Sequence, residues 1–544
     1  MRKRKLTAAS SEKRVDGAFF ERLYDLNVLR QTTLEYTRSS PYRHVCIDPV
    51  CDEDRLRKVL QELEAHLTLS FKETDLFKVL QSVDMASISP ENVGDTCENL
   101  IALRDDLYSE KFRKSIQTIT GCPPLDSRVD CSCNVFPHGG HLLCHDDVIG
   151  TRCISYILYL SEPELGWKSE DGGALELYPT LCTSPQLPTA VPSKSILPKW
   201  NTMVIFSIEP GKSFHAVQEV YAQNKARVSI SGWYHVADKT IVSTEKASAQ
   251  TLLSGSCAFT EQRPRSEVVD IIPPVSVNKS VLRKIFSEKD RRYLEEWINS
   301  EYLDPVGIAH MRQQYLTEGS MLLKEFLTSK ATLEAKRWLT HEPKEYDFDE
   351  LCQKRDTDYS LALCGPPHMR RFVRYKHEAG RLYDVKDLPG FLYDIRTRVF
   401  NSESFGRWLT EIIGCGLDIT DEQIRCFRPG LDYTVAVQQP TVGQNRTSMT
   451  LCFVNDFDVQ KRQIWSDGDV GGYVCHLKSG PSDDTKTPAE VYQNEDEEKV
   501  ISIGAAFNTL SLIKREARDF EFVKFLSKAA PSCRWDIVID AILK

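Results

Sequence analysis

The stretch LLCHDDVIGTRCISYILYL, residues 142–160, constrains this chain more than any other. It sets His145 and Asp147 two residues apart, just ahead of a run that reads as a β-strand. In extended backbone, positions i and i+2 share a side, so an imidazole and a carboxylate are expected to project together. One more histidine would complete the two-His, one-carboxylate set that holds non-haem Fe(II) and leaves other positions open. The segment MVIFSIEPGKSFHAV supplies it: a strand from Met203 is broken at Pro210 and Gly211, and His215 follows the turn. The next strand begins at Arg227 in ARVSISGWYH, where strict alternation puts Arg227 and Ser231 on one face. A planar, permanently charged guanidinium is the bidentate partner that the far carboxylate of 2-oxoglutarate needs.

The order His-x-Asp, distal His, then Arg with a hydroxyl four residues on resembles the Fe(II)- and 2-oxoglutarate-dependent prolyl hydroxylases. The strings HLLCHDDVIGTR, ILYL, GGALELYP, FHAV and RVSISGWYH are similar to the ribosomal prolyl hydroxylase family. A second patch, WINSEYL from Trp297 and LLKEFL from Leu322, resembles the opening of that family's second half. The resemblance implies an α+β, mostly β fold of two tandem double-stranded β-helix (jelly-roll) domains, each buttressed by helices, with only the first catalytic. By position it makes His145, Asp147 and His215 the iron ligands and Arg227 the clamp on the distal carboxylate. Ser231 and Tyr159 become candidate supporting donors, and Leu175 the apolar residue packed against the cosubstrate chain. Phe136 stands where many relatives have a tyrosine that reaches the cosubstrate, a loss of about 1 kcal/mol for one hydrogen bond. Implied with these are Fe(II), 2-oxoglutarate and O2, with ascorbate as a candidate reductant. The implied substrate is a proline of the small-subunit ribosomal protein at the decoding centre, hydroxylated at carbon 3, with consequences for translation accuracy and termination. The alternative from another class is a catalytically idle double jelly roll acting as a scaffold of the translation or transcription machinery.

Length bounds the architecture. At 544 residues the prior allows about two to four domains. The boundaries are read as a basic tail over 1–16, a catalytic domain over 17–238, a Ser/Thr/Gln/Pro-rich linker over 239–278 and a second jelly roll over 279–544. No run of 18 or more apolar residues occurs, so no transmembrane helix is expected. The start, MRKRKLTAASSEKR, lacks the apolar core of a secretory signal, and its two basic clusters resemble a bipartite nuclear-import signal. Nucleus and cytoplasm are the expected locations. The 17 cysteines are scattered through a long chain and are read as reduced thiols. Cys131, Cys133 and Cys144, with His138 and His141, fit none of the usual zinc spacings. Net charge is −9, which argues against direct nucleic-acid binding and suits encounter with a basic protein.

Along the chain, GAFFERLYDLNVL reads as a short helix, and CDEDRLRKVLQELEAHL as an amphipathic one capped by Asp52 or Asp54. A further helix is expected through LRDDLYSEKFRKSIQTIT, stopping at Gly121. Within the first β-domain, Ser155, Ile157 and Tyr159 alternate with Ile154, Tyr156 and Leu158, which turns Ile157 and Tyr159 toward the cavity. Arg152 is expected near its mouth as a substrate contact, and Trp233 as a seal of the barrel. The Pro-spaced residues 184–198 read as an exposed loop. In the second half, WSDGDVGGYVCHL echoes KSEDGGALELYP as a diverged internal repeat. DYTVAVQQP, from Asp432, carries no His-x-Asp, so no iron is expected there. The tract from Ser479 to Lys499 reads as an acidic loop.

Overall fold

The computed structural model describes residues 18–88, 97–181, 186–237, 276–341, 359–377, 387–436, 445–477, 500–516 and 519–544. The expected basic tail, most of the expected linker and the acidic tract lie outside these residues.

Among the described residues, four α-helices lie before Gly121. Asp25 accepts from the Asn27 and Val28 amides to start α1 (Leu26–Arg38), further along than the helix read from the sequence. Asp52 caps α2 (Glu53–His66), whose Leu56, Val59 and Leu63 are buried at the expected spacing. The single helix expected over 103–120 is two, α3 (Glu98–Tyr108) and α4 (Glu110–Thr120). Ser109 between them takes extended backbone, and its hydroxyl caps α4 by accepting from the Phe112 amide at 3.1 Å. A serine offers this local hydrogen bond as an alternative to the helix interior, which helical periodicity alone does not reveal. Gly121, in the left-handed region at φ 66°, ends α4 as expected.

The strands of the first domain are β1 (His44–Ile47), β2 (Leu69–Glu73), β3 (Phe77–Ser82), β4 (Leu125–Phe136), β5 (His141–His145) and β6 (Arg152–Tyr159). They continue as β7 (Leu175–Leu177), β8 (Thr180–Leu181), β9 (Leu187–Pro188), β10 (Lys194–Ile196), β11 (Met203–Ser207), β12 (His215–Val217) and β13 (Arg227–Val236). One curled antiparallel sheet runs β1-β11-β6-β13-β4-β3-β5-β12-β7-β10. The proline-spaced stretch is therefore not simply a loop: Lys194–Ile196 pairs with Leu175–Leu177, and Leu187 is buried. Period-2 alternation sorts the strands' residues between two cores. Ile154, Tyr156, Leu158, Ile205, Ile230 and Tyr234 pack outward on the helices. Ile157, Tyr159, Val204 and Phe206, on the other face, join Leu175, Leu177, Ile196 and Tyr42 inside the barrel. Full burial of each such side chain contributes roughly 1.5–3 kcal/mol, which accounts for strands that are apolar on both faces.

The second half repeats this plan. Its strands are β14 (Ser276–Val281), β15 (Ser320–Leu323), β16 (Tyr359–Cys364), β17 (Arg370–His377), β18 (Leu417–Phe427) and β19 (Tyr433–Thr434). They continue as β20 (Arg446–Phe453), β21 (Val474–Leu477), β22 (Val500–Ile503), β23 (Thr509–Arg515), β24 (Phe520–Val523) and β25 (Arg534–Leu543). The order β15-β23-β20-β25-β18 reproduces β1-β11-β6-β13-β4. Asn508 (φ 53°) bonds both backbone groups of Leu327, just as Asn201 (φ 57°) bonds the amide and carbonyl of Cys51. The echo seen in the sequence is real geometry: Gly172 and Gly173 have φ 70° and 68°, Gly471 and Gly472 69° and 68°. A Cβ on Gly172 would lie 2.1 Å from the Glu219 carbonyl oxygen, and one on Gly471 1.9 Å from that of Phe525.

The two halves meet across a buried contact. Leu76 and Leu143 pack with Tyr433, Val435 and Phe525. The Asp75 carboxylate accepts from the Ala436 amide at 2.9 Å, and Lys524 pairs with Glu73 at 3.1 Å. Glu219 accepts from the Ser527 hydroxyl and from the Lys528 amide at 2.8 Å. His141 lies against Phe525 with ring centroids 4.4 Å apart and donates through Nδ1 to the Gly139 carbonyl. Burial, helped by Lys524 and Lys78, lowers the pKa of His141 from 6.5 to about 3. Between those values the unfolded chain binds a proton that the folded chain does not. This stability is therefore present above pH 6.5 and lost as pH falls. His141→Phe is expected to remove about 2 kcal/mol of the loss between pH 7 and pH 5. Denaturant unfolding of both chains at the two pH values measures it.

Candidate active site

His145 ends β5 and His215 opens β12, and the two strands pair with these residues directly opposite. Asp147 joins them by a different route from the one the spacing suggests. The strand stops at His145, and Asp147 sits beyond it at φ 59°, so the carboxylate arrives by a turn rather than by i, i+2 alternation. Left-handed backbone is several-fold easier for Asp than for most residues, though it still costs of order 1 kcal/mol. Asp146 secures the turn: its carbonyl accepts from the Ser213 hydroxyl at 3.1 Å, and its carboxylate from the Gly211 amide at 3.4 Å. Both segments bearing the histidines are thereby tied to each other.

The three side chains converge. Asp147 Oδ1 lies 3.2 Å from His145 Nε2, and Oδ2 lies 3.2 Å from His215 Nε2. All three are buried, and among the described residues they form the one group of His, Cys, Asp and Glu side chains suited to an ion. Each imidazole donates through Nδ1 to a backbone carbonyl, His145 to Leu143 and His215 to Ser213, both at 2.8 Å. A carbonyl can only accept, so each Nδ1 carries the hydrogen and each Nε2 presents its lone pair inward. Two donors about 2.1 Å from one ion and at right angles stand roughly 3 Å apart, so the observed spacing suits cis ligands. Burial works to raise the pKa of Asp147, but His215 and His145 outweigh it and hold the carboxyl well below its usual range. Burial opposes charge on His145, yet Asp147 raises its pKa overall. Two imidazoles around one carboxylate are a hard-to-borderline N,N,O set with open positions, which fits Fe(II).

A guanidinium closes the other end. Arg227 is 1% exposed, donates from Nε to the Gly173 carbonyl at 2.9 Å and lies between the rings of Phe136 and Tyr159, 5.0 and 5.1 Å from their centroids. Nη1 approaches the Ser229 hydroxyl at 3.4 Å. Nη2 makes no well-formed hydrogen bond, nor does the Tyr159 hydroxyl that interacts with this guanidinium, and both are buried. Burial lowers the pKa of Arg227, with Tyr159 opposing. A desolvated cation with a free N–H beside a free hydroxyl calls for an anionic acceptor. Ile157 and Leu175 pack with Val204, Phe206, Tyr42 and Tyr159 in one buried apolar cluster. The residues present thus fit a metal chelated by a dicarboxylate.

Several placements differ from those read in the sequence. Ser231 accepts from Asn134 Nδ2 at 2.8 Å, while Ser229 is the hydroxyl beside Arg227. Trp233 does more than seal the barrel: its indole Nε1 donates to Asp147 Oδ2 at 3.0 Å. Arg152 stacks on Trp233 at 3.4 Å and pairs with Asp130 at 3.3 Å, which engages it behind the carboxylate. Tyr42 was missed. Its buried hydroxyl has no partner, and burial followed by Cys144 and Asp147 raises its pKa. A tyrosine after Pro41 reads locally as a turn residue, and only the pairing of β1 with β11 brings it in. Cys131, Cys133 and Cys144 are buried free thiols.

Residues 131–235 match the model of the 2OG-Fe(II) oxygenase superfamily, and residues 289–543 that described as oxoglutarate and iron-dependent oxygenase degradation C-term. The chain is 37% identical over 518 residues to the prolyl 3,4-dihydroxylase OGFOD1 of Ostreococcus tauri, spanning 94% of this chain and 96% of that one. It is 25% identical over 516 residues to the prolyl 3-hydroxylase OGFOD1 of Xenopus laevis, spanning 90% of this chain and 84% of that one.

Trp233→Phe keeps the ring under Arg152 and deletes the donor to Asp147. Outer hydrogen bonds of this kind typically contribute 10- to 100-fold in metal affinity, and a loss in that range is expected. Competition for Fe(II) or Mn(II) with a chromophoric chelator measures it.

Proposed function

This chain belongs to the OGFOD1 family of prolyl hydroxylases, and from that premise we propose that its first domain hydroxylates a prolyl residue of a protein substrate, with His145, Asp147 and His215 ligating Fe(II) and Arg227 gripping 2-oxoglutarate. One observation carries the residue assignment: the two Nε2 atoms and the Asp147 carboxylate converge beside one buried apolar cluster, through Phe206 against His215, and the same cluster carries Tyr159 against the buried Arg227 guanidinium. Fe(II), 2-oxoglutarate and O2 together supply the oxidation, in which the cosubstrate becomes succinate and CO2 and one oxygen atom enters a substrate C–H bond. The chain's own residues orient and shield that chemistry. The Leu143 and Ser213 carbonyls fix both imidazoles in the tautomer that ligates through Nε2. Trp233 orients the Asp147 carboxylate from behind. Arg227 Nη2 and the Tyr159 hydroxyl donate to the distal carboxylate, so the absence of a tyrosine hydroxyl at Phe136 leaves the clamp with two donors. Ile157, Leu175, Val204 and Phe206 keep water from the reacting end.

The substrate we propose is the small-subunit ribosomal protein at the decoding centre, modified at carbon 3 of a proline, with an effect on translation accuracy and termination. Similarity through both halves of the chain supports this reading, as does a net charge of −9, which favours encounter with a basic protein. The two basic clusters before Val15 support residence in the nucleus as well as the cytoplasm. A proline-containing peptide from that ribosomal protein is expected to stimulate succinate formation and to gain one oxygen atom by mass spectrometry.

His145→Ala and Asp147→Ala are each expected to abolish succinate formation while the circular dichroism spectrum is kept. Turnover in both variants would reject the ligand assignment. Arg227→Gln removes a charge-assisted pair of about 1.5–3 kcal/mol, so KM for 2-oxoglutarate should rise roughly 10- to 100-fold with metal affinity unchanged.

A further inference from the structure

The second barrel preserves the guanidinium clamp of the first, residue for residue. Arg534 opens β25 opposite Phe427, as Arg227 opens β13 opposite Phe136. Arg534 donates to the Gly472 carbonyl, as Arg227 does to that of Gly173. The amides of these two glycines donate in turn to matching carbonyls, Lys524 and Glu219, each at 3.0 Å. Arg534 is 1% exposed, as Arg227 is.

The difference lies two residues on. Ser229, opposite Tyr159 in the first barrel, becomes Asp536, opposite Cys452 in the second. Asp536 Oδ2 accepts from Arg534 Nε at 3.2 Å and Nη2 at 3.0 Å. Arg425 Nε and Nη2 reach the same carboxylate at 2.8 and 3.0 Å, from the position opposite it on β18. The metal end is altered in kind. His215 faces Leu177 in the first barrel. Leu177, four beyond the glycine pair, is matched in the second barrel by His476, which faces Glu521, the counterpart of His215. Glu521 accepts from Arg515 Nη1 at 2.6 Å, so this position carries a carboxylate already bound to the chain's own cation. Asp536 is fully buried and forked by two guanidinia, the geometry in which a bound carboxylate is held.

We propose that the second barrel contains a carboxylate-binding pocket equivalent to the 2-oxoglutarate clamp of the first, occupied by the chain's own Asp536, so that it takes no free dicarboxylate until that side chain is removed. This rests on the reading of Arg227 as the clamp in the first barrel. With Asp536 shortened to the serine found at the matching position, Arg425 and Arg534 are left facing a carboxylate-sized space. One carboxylate of a small dicarboxylate then takes the place of the lost anion.

The test uses the full chain, free of metal, and follows thermal unfolding with increasing 2-oxoglutarate against sodium chloride of equal ionic strength. Four chains are compared: the wild type, Arg227→Ala, Asp536→Ser, and the double variant Arg227→Ala/Asp536→Ser. The double variant is expected to unfold at a lower temperature in chloride and to regain about 3 °C, saturably, at tenfold the dissociation constant. Arg227→Ala alone is expected to show no such rise. A double variant that responds no differently from Arg227→Ala overturns the proposal, as does an equal rise in Arg227→Ala with Asp536 intact. A wild type indistinguishable from Arg227→Ala when the titration is repeated with Mn(II) bound would instead overturn the first-barrel clamp. Should serine prevent folding, Asp536→Asn keeps the volume, removes the charge and is expected to respond in the same direction.

Discussion

A buried guanidinium without a protein anion is the interaction around which the first barrel is organised. Taking Arg227 out of water is costly, and no carboxylate among the described residues pairs with it. What holds it are a carbonyl, a hydroxyl and two aromatic faces, partners that fix direction without neutralising charge. The scaffold must therefore supply the desolvation cost from elsewhere, and the two apolar layers on either side of β6, β11 and β13 do so. The uncompensated charge suits this interior to an anionic partner rather than a neutral one.

The second barrel shows the same scaffold with the charge resolved internally. Its Arg534 keeps the strand position, the facing phenylalanine and the glycine carbonyl, yet Asp536 supplies an anion two residues away. Breaking either partner of such a buried pair costs several kcal/mol, whereas leaving Arg227 open costs stability in return for binding. Two copies of one fold thus differ, at matching positions, in whether the buried guanidinium has an anion of the chain beside it.

The barrels do not act as beads on a string. Glu219, four residues after His215, accepts from Ser527 and Lys528, and its carbonyl accepts from the Gly173 amide beside the Arg227 contact. The second barrel therefore braces the loop between His215 and Arg227. This gives the second half a physical role in positioning those residues.

Local pattern was sufficient for some of this and not for the rest. Asp52 as a cap, Gly121 as a stop, the inward face of β6 and the glycine pair of the repeat were legible, because each depends on neighbours within a few residues. Likewise His145, Asp147, His215 and Arg227 stood out, since no bland pattern calls for those residue types at those offsets. The break at Ser109, the hydroxyl beside Arg227, the indole behind Asp147 and the entry of Tyr42 were not legible. Each is decided by which distant strand lies alongside, or by a turn that sends a side chain off its expected face. Chain order alone determined the chemical kinds of group this protein brings to its site. Their distances, tautomers and unpaired hydrogens were decided only by the folded sheet, because strand pairing fixes positions that no local spacing can.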